Sequence, residues 1–262
     1  MGEKPVIMSI LTASSWIRNW VKEEPSVSVD SLTEWLFYYV SRANSFTSTS
    51  GSGTGISFHF LPEDFLRRQD LWEWWLVVQD GPEKNTVKAC RYFVRAAKLE
   101  ELGNGAKSFT EYPETVREMI EYACRRGATP LYLFYTDCAA ESEGKYNSFL
   151  GWEERRNNGC FLVSALTVRE KLTAYQPCPA RELLKGACRL SILDRMERMT
   201  SDERMHILDP DRTGECFFRG PLPDYVQDLM RDSEKRPERD RLPEDILPYV
   251  RGVGVVNLRR SI

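Results

Sequence analysis

Histidine is nearly absent: His59 and His206 are the only two in 262 residues, and they stand far apart. That argues against the common histidine-built metal centres and most histidine-dependent triads. Paired cysteine motifs are missing too. The seven cysteines (Cys90, Cys124, Cys138, Cys160, Cys178, Cys188 and Cys216) are odd in number, scattered, and never spaced as CxxC. A disulfide framework or cysteine-rich zinc site needs tighter spacing, so free and mostly buried thiols are expected. No apolar run approaches the roughly 18 residues that cross a bilayer. The opening MGEKPVIMSILTASSWIRNW is too short in its apolar part for a secretory signal, and Val6 occupies the place where a myristoylation signal has Ser or Thr. The expected location is intracellular, in the cytoplasm, with no membrane partner. Charge of one sign is lacking as well: 36 basic against 39 acidic residues leave a net charge of −3. Nucleic-acid binding would therefore need a local basic patch rather than a global field.

Core-forming residues are plentiful. Apolar residues make up 42% of the chain, with 7 Trp, 11 Tyr and 12 Phe, enough for a sizeable interior. We expect a single domain over 1–262, with a core over about 26–175 and a C-terminal elaboration over about 176–262.

The first clear helix follows Asp30, a plausible N-cap, with Leu32, Trp35, Leu36 and Tyr39 at helical spacing. Residues 44–55 (NSFTSTSGSGTG) read as a loop. Their GSGTG lacks the Lys-Ser/Thr ending of a phosphate cradle. Strands are expected at 56–60 (ISFHF), 72–78 (WEWWLVV) and 87–99 (VKACRYFVRAAKL), the last two joined as an antiparallel hairpin. A helix over YPETVREMIEYACRR should stop at Gly127, and PLYLFYT at 130–136 reads as a strand buried on both faces. The order from 30 to 136 is thus α-β-β-β-α-β, which makes the fold α/β with a mixed central sheet flanked by helices. Further on, CFLVSA suggests a strand, 167–175 a short helix capped by Thr167, 179–205 helical structure, 231–241 a solvated charged loop, and GVGVVNL a last strand.

If the second and third strands pair, Asp70 and Lys98 come to one edge of the sheet, and Asp30 or Glu34 can add a carboxylate. Carboxylates with a nearby lysine suit Mg²⁺-dependent phosphodiester cleavage, in which the metal polarises phosphate and lysine positions water. The bland readings are equally concrete. Lys98 beside Glu100 and Glu101 would be a solvated edge residue, Asp30 a helix cap, and Glu34 and Glu73 surface positions. Trp72, Trp74 and Trp75 could stack bases but are more naturally core. Arg67, Arg68, Arg91 and Arg95 form the best local basic cluster, able to grip phosphates or to pair with acids.

Seven stretches in order carry a resemblance: DSLTEWL, QDLWEWWL, FVRAAKLE, GATPLYLFYT, NNGCFLVSA, ECFFRGPLPDYV and LPYVRGVGVVNL. The chain is similar to PD-(D/E)xK nuclease-like domains, the restriction-endonuclease fold. More specifically it resembles an uncharacterised, mostly bacterial family that carries this fold with degenerate motifs. The resemblance implies Asp70 and Asp30 as metal ligands, with Glu34 and Glu73 as further candidates, and Lys98 as the catalytic lysine. It implies Mg²⁺ as cofactor and nucleic acid as partner. The chain departs from the pattern at Ala96, where the family has Gln or an acid, and no Gln occurs in YPETVREMI. Those departures imply an alternative, a catalytically inactive nuclease-fold binding or assembly module.

Overall fold

Long runs of branched and aromatic residues at alternating parity build the centre of the molecule. The computed structural model describes residues 7–45, 55–61, 71–79, 87–101, 106–138, 158–193, 218, 221–231 and 249–259. Among these the strands are β1 (Gly55–Phe60), β2 (Leu71–Gln79), β3 (Val87–Lys98), β4 (Glu100–Glu101), β5 (Lys107–Phe109), β6 (Thr129–Tyr135), β7 (Cys160–Ser164), β8 (Cys178–Pro179), β9 (Cys188–Arg189) and β10 (Val250–Arg259). The helices are α1 (Ile7–Glu23), α2 (Val29–Ser45), α3 (Pro113–Arg125), α4 (Ala165–Ala174), α5 (Ala180–Leu183) and α6 (Asp224–Arg231).

Seven strands form one mixed sheet in the order β1-β10-β2-β3-β6-β7-β9, and β4-β5-β8 form a small second sheet. The hairpin expected from the sequence is present, with β2 antiparallel to β3. Strand β6 runs parallel to β3, with α3 as the connecting helix. The last strand does not trail at an edge. β10 lies between β1 and β2, antiparallel to the first and parallel to the second. Gly252 and Gly254 stand opposite Trp72 and Trp74, and a Cβ at either would collide with Trp72 or with the Phe58 ring. The glycines of GVGVV thus make room for the aromatic rings of the neighbouring strands.

Alternation divides the strand side chains between two apolar cores. Trp72, Trp74, Leu76, Tyr92, Val94, Leu133 and Tyr135 pack with α1 and α2 on one face. Trp75, Val77, Phe93, Tyr132, Phe134 and Val163 pack with α3, α4, α5 and α6 on the other. All three tryptophans of WEWW are buried, so they are core and not a stacking platform.

Several local expectations change. A helix, α1, precedes the one anticipated as first; its inward residues Ile10, Ala13, Ser14, Ile17 and Val21 follow helical spacing, but Trp16 and Trp20 blur the stripe. Asp30 is not the cap of α2. Ser28 fills that role, its Oγ accepting the Ser31 N–H at 3.0 Å, and Asp30 lies in the first turn. Ser164, not Thr167, caps α4, accepting from the Leu166 N–H at 3.2 Å. Between 179 and 193 the helix is a single turn, α5, followed by β9; residues 194–205 lie outside the described residues. Gly127 ends α3 with φ +60, the left-handed conformation glycine adopts without a Cβ penalty. The GSGTG stretch (51–55) before Gly55 and the charged run 232–241 also lie outside the described residues.

Candidate functional site

The sheet corner where β3 ends is where the sequence places its chemistry. Antiparallel register sets Leu71, the first residue of β2, against Arg95, so β2 begins at the end of the sheet where Lys98 lies. Asp70, Arg67 and Arg68 lie outside the described residues.

Lys98 sits on the α1–α2 side, half-buried, and β3 is an interior strand, so this is not a solvated edge lysine. Its Nζ donates to the carbonyl oxygens of Pro25 and Val27 at 2.7 and 2.8 Å. The ammonium thereby closes the bend between α1 and α2, whose carbonyls would otherwise lack donors. Ala96, on the same face, packs against the apolar core and offers no donor atom.

Asp30 and Glu34 stand one turn apart on α2, so both carboxylates reach the same neighbour. That neighbour is Arg251 at the start of β10. Its Nη1 donates to Asp30 Oδ1, and its Nη2 lies 3.8 Å from Glu34 Oε1. Both acids are more than half exposed, so the pairing is worth little in stability but meets much of their charge. Arg251 was not anticipated. It lies 221 positions from Asp30, and LPYVRGVGVVNL reads only as the approach to a strand.

Glu73 belongs to the opposite face and is not a surface residue: it is completely buried. Its Oε1 accepts from Arg91 Nε at 2.7 Å, Trp75 Nε1 at 3.0 Å and the Tyr225 hydroxyl at 2.8 Å, while Oε2 has no hydrogen-bond partner. The Arg91 guanidinium lies 5.4 Å from the Trp75 ring centroid and 5.1 Å from that of Phe93, and Nη1 donates to the Arg126 carbonyl. Burial, then the Glu73 charge, drives the Tyr225 phenol well above its ordinary pKa, so it stays a donor. Arg95 pairs with Glu111 at 3.0 Å, and Glu111 also accepts the Tyr132 hydroxyl at 2.7 Å. Arg91 and Arg95 therefore pair with acids instead of presenting a phosphate-gripping patch.

The structure brings Asp30 and Glu34 together with Arg251 and places Lys98 on the same side of the sheet. It sets Glu73, Arg91 and Arg95 on the other. Among the described residues no group of three or more His, Cys, Asp or Glu side chains gathers where a metal ion could be held. The free thiols among them are mostly buried, and burial raises Cys160 and Cys188 to about 12, which removes thiolate chemistry near neutral pH. No helix of the described residues is long and apolar enough to cross a membrane. Comparison with protein-family models, with curated proteins and with solved structures found no match.

Proposed function

We propose that the chain is a nuclease-like fold that has given up phosphodiester hydrolysis and serves as a binding or assembly module. The observation that carries this reading is the state of Lys98, whose ammonium is already held by the Pro25 and Val27 carbonyls. A lysine that positions attacking water must direct its protons toward that water. The described residues also fit a Mg²⁺ ion poorly. A hard divalent cation wants several oxygen ligands with uncompensated charge. Here Ala96 offers none, and Arg251 occupies Asp30 and Glu34.

A second reading, Mg²⁺-dependent cleavage of nucleic acid through Asp70, Asp30 or Glu34, and Lys98, draws on one observation. The register of β2 with β3 starts β2, immediately after Asp70, at the Lys98 end of the sheet.

Melting temperature with and without millimolar Mn²⁺, alongside incubation with DNA and RNA, separates the two. A metal that binds only the folded state raises the melting temperature. The silent module shows no rise and no cleavage. A rise of several degrees that Asp70→Asn removes, with cleavage that Lys98→Ala abolishes, transfers the assignment to the hydrolase.

A further inference from the structure

We propose that the outward face of the α1–α2 hairpin docks a basic segment, rich in arginine or lysine, of a partner protein. The inference goes beyond the corner at Lys98 and is read from a different surface.

Four aromatic side chains line the groove between the two helices. Trp16 stacks on Trp35 with centroids 6.2 Å apart, Trp35 stacks on Tyr39 at 5.2 Å, and Trp20 meets Trp35 edge-on at 6.1 Å. Trp20, Trp35 and Tyr39 rest on the core beneath, whereas Trp16 is 64% exposed at the outer end of the pile. A large ring left in water at the end of a preformed stack is a costly feature for an isolated surface. Its open face is also the part of an aromatic ring that attracts cations.

The charges around the rings select the occupant. Glu23 and Glu24 at the end of α1, and Asp30 and Glu34 on α2, are all exposed, and Glu34 directly precedes Trp35. Against these four carboxylates stand Lys22 and the single guanidinium of Arg251, which Asp30 and Glu34 share. The rim is therefore net negative. A polyphosphate backbone would be repelled by it, and a second copy of the same face would set acids against acids. A guanidinium or ammonium is drawn both to the rings and to the rim. The hairpin already contains one such contact: Arg42 Nη1 donates to the Tyr38 hydroxyl at 2.5 Å, its guanidinium 5.9 Å from that ring.

The test titrates the full chain with a lysine/arginine octapeptide, a glutamate octapeptide and single-stranded DNA, by calorimetry at low and at physiological salt. The basic peptide alone should bind, more weakly as salt is raised. Trp16→Ala should weaken it by about threefold or more, the loss expected of an exposed cation–ring contact. Glu23→Gln with Glu24→Gln should weaken it separately. Tyr112→Ala, which alters an aromatic of 80% exposure ahead of α3, should leave binding unchanged. Unaltered melting temperatures certify the folding of each variant. The proposal is overturned if the basic peptide fails to bind, or if it binds Trp16→Ala as well as the parent. Binding of DNA or glutamate peptide that depends on Trp16 overturns it as well, as does Trp16-dependent self-association in sedimentation. None of these readouts involves metal or cleavage, so this surface and the Lys98 corner fail or stand separately.

Discussion

A carboxylate with no access to water survives in the core only where donors converge on it. Glu73 has three, from three separate elements: Arg91 of β3, Trp75 of its own strand and Tyr225 of α6. Removing one member of such a pair leaves the other charge buried. Glu73→Ala should therefore destabilise the fold by about 3–5 kcal/mol, whereas Glu73→Leu with Arg91→Met should recover much of that loss. Urea unfolding of the two single variants and the double variant measures it. Single-variant costs below about 1 kcal/mol would mean that Arg91 regains water easily, and the pair would lose its role in seating α6. At this scale the sequence was ambiguous for a physical reason. Whether Glu73 faces water or core depends on the parity of β2 and on which helices cover each face, and nothing local to LWEWW specifies the cover. Lys98 is similar: its partners are backbone carbonyls, which carry no residue-type signature to find in a sequence.

Elements were far more legible than side-chain roles. β1, β2, β3, β6, β7 and β10 and the helices α2, α3 and α4 were read within a few residues of their observed spans, because period-2 and period-3.6 patterns and glycine stops are local properties. The failures are of two kinds. The two-residue strands β4, β8 and β9 are too short to show a pattern, and they exist because a neighbouring strand offers them hydrogen bonds. Helix α1 was missed because its outward tryptophans made it look apolar all round. The start of α2 gives a test of cap against dipole. Ser28→Ala removes the acceptor of the Ser31 N–H and should cost about 1 kcal/mol. Asp30→Ala removes only a favourable first-turn charge and an exposed ion pair, and should cost less than half as much. Chemical denaturation of both variants decides it, and equal costs would return the capping role to Asp30.

Over the whole molecule, burial of ionisable groups that are neutral at pH 7 sets an alkaline limit. Desolvation raises Cys160 and Cys188 from an ordinary 9.0 to about 12 and, to a smaller degree, Cys178 to about 11; it drives Tyr132, Tyr135 and Tyr225 upward from 10.0. Above pH 9 the unfolded chain releases protons that the folded chain retains, so unfolding gains free energy with each step in pH. Stability should hold from pH 7 to 9 and fall from about 9 toward 12, which urea midpoints taken across that range would record. A flat profile to pH 11 would contradict the burial of these groups. The same scale separates what the chain specifies locally from what folding decides. Composition and periodicity by themselves determined an α/β protein with a mixed sheet, a β2–β3 hairpin and a β6 buried on both faces. Only the tertiary structure decided that β10 enters the sheet between β1 and β2, that Arg251 meets Asp30 and Glu34, and that Lys98 turns to the α1–α2 bend. Those contacts join residues tens to hundreds of positions apart. Periodicity specifies which face of an element is apolar, but the partner for that face is chosen by packing and register across the whole chain.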